Sequence, residues 1–461
     1  MTATSAPRAV DFEPVRVDRV HARLTRPSLS YWQDAWLRLE RNRRAFYSMY
    51  LIVGLLAFTV AGPWLWPIDP ADQDLDQVSE PPGADRTVRV IDAYAPWAGA
   101  SLAQAERLDA PLALAEPPTT QAVRLVWKPI AGAHGYHVYR NIFAPDPRYG
   151  LGLPVGAIES AVVVFFEDRL DLAPRRYWYA VVALDADGNE HGPAISTEAR
   201  VERVITPYQA VQRGLVAAEA DARLGATLEL PLHPLGTDYL GRDMLARLMH
   251  GARVSLFIGL VAPALYVLLG IFYGSVAGFL AGRTDQLLMR FADFVVALPF
   301  LLFMILFKIA FGIGPGESGI FPMLVALVLL GWPTTARLVR GQILQIREEG
   351  YIGASRLLGA STSYLVLRHM IPNTLGVVLV TLTFAVPSAI FTEAFLSFIG
   401  MGVAPPTPSW GSMCNEGIKT MLSHPHELIF PALFISLTVL AFNLLGDGLR
   451  DALDARMRSR E

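Results

Sequence analysis

Apolar segments long enough to cross a lipid bilayer are the feature that most constrains this chain of 461 residues. A helix of about 20 residues spans the roughly 30 Å hydrocarbon core. Six segments approach or exceed that length: 45–66, 256–280, 291–311, 320–337, 374–401 and 428–445. Hydrophobic residues make up 52% of the chain and charged residues only 18%, a balance that is rare in soluble proteins of this size. We therefore predict a polytopic membrane protein with six transmembrane helices.

Charged residues beside these segments predict their orientation. Arginines precede the first segment and aspartates follow it (Arg41, Arg43 and Arg44; Asp69, Asp72 and Asp74). Cytoplasmic flanks carry an excess of Lys and Arg, so the N-terminus is predicted to be cytoplasmic. Six spans with both termini in the cytoplasm satisfy the remaining arginine-rich flanks. Residues 1–44 then form a cytoplasmic arm that ends in an interfacial helix from about Ser30, and residues 45–68 form the first transmembrane region.

Residues 69–232 form a hydrophilic insertion without a spanning run. The run VRLVW places Val123, Leu125 and Trp127 on one face of a strand, and Tyr177–Ala183 repeats the period of two that is typical of strands. Turn-forming residues separate these runs, which predicts an antiparallel β-sandwich at about residues 116–203. The runs W-x-P-x-x-G-x-x-G-Y-x-V-Y-R and Y-x-Y-x-V-x-A-x-D-x-D-G-N-E resemble a fibronectin type III domain.

A polar, arginine-bearing stretch, EEGYIGASRLLGASTSYLVLRHMIPN, lies between the fourth and fifth apolar segments. Residues 350–358 are predicted to form a short helix, which Gly359 ends because glycine tolerates turn conformations. Ser361 or Thr362 is placed to cap a second helix, and Pro372 suits the first turn of the helix that follows. The stretch therefore predicts a helix–turn–helix on the cytoplasmic side.

This stretch resembles the cytoplasmic coupling loop of bacterial ABC-importer permeases, whose pattern is EAA, three residues, Gly, nine residues and I-x-L-P. The aligned positions are Gly353-Ala354-Ser355, Gly359 and His369-Met370-Ile371-Pro372. Gly353 replaces the Glu of the pattern, so a salt bridge from that position to a partner is not available here. We assign residues 341–373 to the coupling loop.

A second motif, HPLGTDYLGRD, begins at His233 and precedes the second apolar segment. It predicts a turn at Gly236, a helix cap at Thr237 or Asp238, and an amphipathic helix on the outer surface. The motif resembles a signature of dipeptide and oligopeptide ABC permeases, and the likeness to their C-type subunit continues to Arg456. This resemblance implies a type I ABC importer permease fold, with a five-helix core at residues 233–447 and a cytoplasmic tail at 448–461.

The resemblance implies a permease subunit in the bacterial inner membrane that imports peptides, with the insertion in the periplasm. It also implies a second permease subunit, two ATPase subunits and an extracytoplasmic solute-binding protein as partners. The chain contains no G-x-x-x-x-G-K-[ST] motif, so ATP hydrolysis is expected in the partners and not in this chain. The candidate residues for coupling to the ATPase are Arg347, Gly353, Ala354, Ser355, Arg356, Gly359, Ser361 and Pro372.

Glu393 lies inside the fifth apolar segment, where a carboxylate is costly and is expected to face protein, water or another charge. It is either a pore residue or one member of a buried structural pair. We predict no cofactor, metal or nucleic-acid partner. Two other functions stay open: a membrane-anchored receptor or adhesion protein built around the fibronectin-like domain, and a permease for nickel or another small solute.

Overall fold

The computed structural model describes residues 30–453, except 76, 147, 149, 313, 315, 316 and 318. The chain divides into two compact units, Met1–Pro82 with Leu235–Glu461, and Gly83–Pro234. The predicted arm before Ser30 and the tail from residue 454 lie outside the described residues. The predicted fold class is confirmed, since the first unit is helical and membrane-spanning and the second is rich in strands.

Two helices begin the described chain, α1 (Tyr31–Arg41) and α2 (Arg43–Leu65). Ser30 and Gln33 form a capping box that starts α1, since each side chain accepts a hydrogen bond from the other's backbone N–H. The side chain of Asn42 caps α2. The predicted first span is therefore a helix, which begins two residues earlier than expected.

The inserted unit contains ten strands and two short α-helices. In chain order these are β1 (Thr87–Val90), α3 (Leu102–Glu106), β2 (Leu112–Leu114), β3 (Val123–Trp127), β4 (Gly135–Asn141), β5 (Gly156–Ile158), β6 (Phe165–Asp168), β7 (Arg176–Leu184), β8 (Glu190–Arg200), β9 (Val204–Ile205), α4 (Pro207–Gln212) and β10 (Thr227–Glu229).

A β-sandwich occupies the middle of this unit, as predicted. One sheet has the order β2-β3-β6 and the other has the order β5-β4-β7-β8, with antiparallel neighbours throughout. Trp127 and Tyr136 come from different sheets and meet in the core, their ring centroids 5.2 Å apart. Tyr177 is also buried there. These three aromatics therefore form part of the sandwich core, while the closer likeness to fibronectin type III stays a prediction.

A second, smaller sheet joins the two ends of the insertion. The incoming strand β1 pairs antiparallel with the outgoing strand β10, in a register that sets Thr87 opposite Glu229. Strand β9 pairs with the other edge of β1 in parallel. Val88, Val90 and Ile205 form its core together with residues of the α4 region. This sheet was not predicted, because its strands are two to four residues long and too short for an alternating pattern.

Nine helices follow in the described part of the permease unit. They are α5 (Met244–Leu280), α6 (Gly282–Ala297), α7 (Phe300–Ala310), α8 (Ile320–Arg347), α9 (Gly350–Leu357), α10 (Thr362–Tyr364), α11 (Ile371–Phe398), α12 (Trp410–Gly417) and α13 (His426–Leu453). A π-helical turn, Leu365–Met370, makes α10 and α11 continuous. By length and composition α2, α5, α8, the α10–α11 run and α13 can each cross a membrane.

The third predicted span, residues 291–311, is broken. Helices α6 and α7 meet at an angle of 84° around Leu298 and Pro299, and together they make the sixth candidate span. The expected loop at residues 281–290 is instead the first part of α6. Asp285 anchors it, because its carboxylate accepts two hydrogen bonds from the Arg340 guanidinium of α8, at 2.5 and 2.6 Å. The hydrophobicity of residues 281–290 alone does not reveal an ion pair with a distant residue.

The start of α5 also differs from the prediction. The N-cap is Asp243, whose carboxylate accepts from the Ala246 N–H at 2.6 Å, and neither Thr237 nor Asp238 serves as the cap. From Met244 the helix continues without interruption to Leu280, so the predicted separate surface helix is wrong. Gly236 does form a turn, with φ of +76°.

Helices α5 and α8 pack closely along three glycines, Gly270, Gly274 and Gly278. A Cβ at Gly274 would lie 2.3 Å from the carbonyl oxygen of Ala336 on α8. Small residues at intervals of four let two membrane helices approach backbone to backbone. The glycine spacing therefore fixes the position of α8, the helix that leads into the coupling loop.

Candidate functional site

The predicted helix–turn–helix is present at the end of α8. Helix α9 ends at Leu357, and Gly359 makes the turn with φ of +86°, a backbone conformation that side-chain-bearing residues rarely adopt. Ser361 is the N-cap of α10, as predicted, and its hydroxyl accepts from the Tyr364 N–H at 3.4 Å. Pro372 lies in the first turn of α11, also as predicted. These local features follow directly from residue type and spacing.

Buried apolar side chains fix this loop to the membrane helices. Ile352 of α9 and Met370 of the π-helical turn are fully buried in one cluster with Val339 and Ile343 of α8 and Val378 of α11. The Asn373 amide also donates to the Tyr351 hydroxyl at 3.1 Å, which joins α9 to the start of α11. The loop is thus held against α8 on one side and α11 on the other.

The end of α9 presents two leucines to the outside. Leu357 is 91% exposed and Leu358 is 89% exposed, immediately before the turn at Gly359. Gly353 and Ala354 are exposed on the same helix, and Ser355 is half-buried. Leu357 and Leu358 were not predicted as site residues, because the family pattern leaves these positions unspecified. Two adjacent apolar residues in an otherwise polar loop were the signal that could have identified them.

The two candidate arginines have different surroundings. Arg347 donates to the carbonyl oxygen of Phe279 at the end of α5, at 3.2 Å, and pairs with Glu348 at 3.0 Å. Arg347 is therefore turned toward its own chain. Arg356 lies over the Phe279 ring, with the guanidinium carbon 5.6 Å from the ring centroid. Its side chain is exposed, and no ion pair involves it within the described residues.

Glu393 is completely buried between helices. Its carboxylate accepts from the Ser255 hydroxyl of α5 at 2.7 Å and from the Ser397 hydroxyl of α11 at 2.8 Å. Ser255 in turn accepts from the Trp410 N–H at the start of α12, at 3.3 Å. This geometry favours a buried structural role for Glu393 over a role as a pore residue. Its partners are serine hydroxyls, so the contact is not a salt bridge.

The HPLGTDYLGRD motif builds a buried cluster of four charged residues. Asp238 and Glu416 each pair with both Arg242 and Arg247. The Arg242–Glu416 contact, at 2.9 Å, joins the loop before α5 to α12. All four side chains are at most 9% exposed, and two positive charges balance two negative ones. In this motif Asp243 therefore caps a helix, and Asp238 forms ion pairs.

No group of His, Cys, Asp and Glu residues that could hold a metal ion occurs in the part of the chain that the structure describes. In the inserted unit, His137 contacts Glu190 at 2.7 Å, and the Tyr139 hydroxyl donates to the same carboxylate. Burial, together with the adjacent carboxylate, raises the pKa of Tyr139 to about 12. This cluster is a closed hydrogen-bonded group on the sandwich.

Two family models match the permease unit. One, described as "Binding-protein-dependent transport system inner membrane component", matches residues 270–459. The other, described as "N-terminal TM domain of oligopeptide transport permease C", matches residues 30–82. These matches define the class of the protein as a multi-pass inner-membrane permease subunit. Neither match includes residues 83–269.

Individual relatives refine this class. The oligopeptide transport system permease protein OppC of Bacillus subtilis (strain 168) is 48% identical over 226 residues, which cover 49% of this chain and 72% of the relative. The dipeptide transport system permease protein DppC of the same organism is 48% identical over 227 residues, with coverage of 49% and 69%. The chain therefore belongs to the OppC/DppC family of ABC-importer permeases, in which separate subunits carry the ATPase activity.

The MetNI methionine ABC transporter in an inward-facing conformation matches with a TM-score of 0.37 and 17% identity, covering 46% of this chain and 98% of that chain.

Proposed function

We propose that this chain is the C-type permease subunit of an ATP-driven importer of dipeptides or oligopeptides. The 48% identity to both an oligopeptide and a dipeptide permease supports the substrate class. The exposed pair Leu357 and Leu358, carried on a buttressed loop, is the single observation that supports energy coupling. Leucine side chains with so much exposed surface are more stable in an apolar groove of a partner subunit than in water.

The proposed assembly contains a second, related permease, two ATPase subunits and an extracytoplasmic solute-binding protein. The arginine flanks support cytoplasmic termini and a cytoplasmic coupling loop. The insertion then lies in the periplasm, on the side where a binding protein delivers the peptide.

In this mechanism the leucine pair inserts into the ATPase. Gly353 and Ala354 allow a close approach of the α9 backbone, because neither side chain extends beyond a methyl group. Gly359 and Ser361 fix the angle between the two short helices, and Pro372 begins α11. Ser355 and Arg356 supply polar contacts around the leucines, while Arg347 ties the loop to the end of α5. Closure of the ATPases would move this body and switch the pathway between its two sides.

The experiment replaces both leucines. A Leu357→Ser/Leu358→Ser double variant removes the apolar contact without touching the buried face of α9, so the chain should still insert. We expect it to lose most peptide uptake and to capture much less ATPase when the tagged chain is extracted gently from its membrane. Uptake of a labelled dipeptide and quantification of the copurified ATPase measure these effects.

The matched control is Leu357→Met/Leu358→Met, which keeps the size and apolar character of both side chains. It should retain uptake and ATPase capture near the level of the unaltered chain. Normal uptake by the serine variant would refute the coupling role. Uptake of no peptide by the unaltered complex, despite normal ATPase capture, would refute the substrate class alone.

A further inference from the structure

A groove of about 450 Å³ opens on the permease unit between α5, α7, α8 and α11. Its size lies within the range of small-molecule pockets in proteins. Hydroxyl groups line it from two helices: Thr334 and Thr335 on α8, and Thr381, Ser388 and Thr392 on α11. The three α11 residues are seven and four residues apart, a spacing that places them on one face of the helix.

Two exposed hydroxyls of this set make no hydrogen bond to any described residue. The Thr381 and Thr392 hydroxyls donate to carbonyl oxygens of their own helix, at 2.9 and 2.8 Å. The Thr334 and Ser388 hydroxyls make no hydrogen bond to any described residue, although both side chains are exposed at the groove. In a bilayer such groups favour water or a polar solute over hydrocarbon.

Prolines interrupt the backbone hydrogen bonding of both helices next to the groove. Pro333 lies in α8 and Pro387 in α11, each directly before an unpartnered hydroxyl. Because proline has no N–H, the carbonyl group four residues earlier loses its helical partner. None of the described residues that line the groove is charged. The groove thus offers neutral hydrogen-bonding groups beside apolar side chains such as Leu327 and Phe300.

We propose that this groove is the wall of the solute pathway on this subunit and that its hydroxyls bind the main chain of the passing peptide. The choice of a peptide rests on the proposed function. Hydroxyls both donate and accept hydrogen bonds, so they can serve the N–H and C=O groups that every peptide presents. Since the wall carries no charge, it admits acidic and basic side chains alike.

Thiol labelling tests whether the groove is open to water. The chain has one cysteine, Cys414, which is buried, so a Cys414→Ala background leaves single introduced thiols to report. In the complete transporter in membrane vesicles, Thr334→Cys and Ser388→Cys are treated with a cationic and with an anionic methanethiosulfonate reagent. We expect both reagents to modify both positions and to block transport.

The matched control is Phe391→Cys, which lies on α11 beside Ser388, is 63% exposed and does not line the groove. It should react at least about tenfold more slowly, because charged reagents avoid hydrocarbon. Equal labelling of Phe391→Cys, protection of the two groove thiols by a partner helix, or labelling without loss of transport would each overturn the proposal.

A charge placed in the groove tests contact with the peptide. Ser388→Asp should raise the uptake of a lysine-containing dipeptide relative to a glutamate-containing one by about 25-fold, because one unit charge at about 4 Å in a watery site changes each uptake about fivefold and in opposite directions. Ser388→Lys should shift the ratio in the opposite direction, and Ser388→Asn should leave it unchanged. Equal effects of Asp and Lys on both peptides would contradict direct contact.

The two levels of the proposal can fail separately. If the unaltered complex carries no peptide, the proposed function fails, while the labelling pattern still reports whether the groove is a water-accessible pathway. If peptides are carried and the groove thiols stay unlabelled, the proposed function stands and the groove is not its pathway.

Discussion

At the scale of single residues, Glu393 shows how a buried carboxylate is accommodated within a membrane helix. Two serine hydroxyls donate to it, one from its own helix and one from α5, and Ser255 also receives the first N–H of α12. Each donor offsets part of the cost of removing the carboxyl group from water. The residue therefore acts as a junction of three helices.

Two substitutions distinguish this structural role from a role in the pore. Glu393→Gln keeps the shape and the acceptor oxygen, so we expect near-normal uptake with a small loss of stability. Glu393→Ala leaves a cavity and two unpaired hydroxyls, and should lower the stability of the folded chain by about 2–4 kcal/mol. Thermal denaturation of the purified complex and peptide uptake measure both. A Gln variant that folds normally but fails to transport would indicate gating.

Residues whose role is decided locally were predictable from the sequence. Gly359, Ser361 and Pro372 occupy the expected positions, since a positive φ, a cap and a first helical turn each depend on a few neighbouring residues. The partners of Glu393 were not predictable, because Ser255 lies 138 residues away in sequence. The cap of α5 was misassigned because Asp238 pairs with Arg242 and Arg247. Both arginines also contact the distant Glu416, which no local pattern reveals.

At the scale of elements, the contact between α5 and α8 determines how a movement of the coupling loop reaches the membrane. The glycine row of α5 meets the backbone and small side chains of α8 at every turn, so neither helix can slide without the other. The carboxylate of Asp285 on α6 joins the same assembly through Arg340. We therefore expect a displacement at α9 to be transmitted along α8.

An alanine pair tests this contact. Gly274→Ala would place a methyl group 2.3 Å from the carbonyl oxygen of Ala336, which forces the two helices apart and should cost about 1–3 kcal/mol. Gly341→Ala on α8 is the control, since nothing lies within 4 Å of its Cβ. We expect lower membrane accumulation and a lower melting temperature for the first variant only. Equal behaviour of the two would show that close packing at Gly274 is not required.

The break between α6 and α7 marks the limit of prediction at this scale. Residues 291–311 form a continuous apolar run, and hydrophobicity alone does not register a bend at Leu298 and Pro299. Pro299 was the available signal, because the residue before a proline is driven away from helical angles. The spacing of four between Gly270, Gly274 and Gly278 was also visible in the sequence. It predicts a close helix–helix contact but does not indicate which helix is the partner.

At the scale of the whole molecule, the chain combines a membrane core that matches the permease family models with an inserted domain that neither model covers. The β-sandwich of the insertion was predictable from alternating residues and turns, whereas the small sheet of β1, β9 and β10 was not. We expect the sandwich to hold the solute-binding protein or another envelope component, since the proposed topology places it on the delivery side.

Excision tests that role. Replacing residues 96–200 by a short Gly/Ser linker removes all seven sandwich strands and keeps β1, β9 and β10. The chain should still insert and still capture its ATPases, because the coupling loop is untouched. Capture of the binding protein, measured by mass spectrometry of the purified complex, should fall. Unchanged capture would show that the sandwich has another role.

The pairing of β1 with β10 has a consequence in polymer terms. Antiparallel partners stand about 5 Å apart, so the two chain crossings at residues 87 and 229 are held together whatever lies between them. The chain entropy of that loop is lost once, when the small sheet forms. The corresponding free-energy cost rises by only about 0.6 kcal/mol for each doubling of the enclosed length. Domains of very different size can therefore be exchanged at this point during evolution, or grafted there by design, with little thermodynamic effect on the permease.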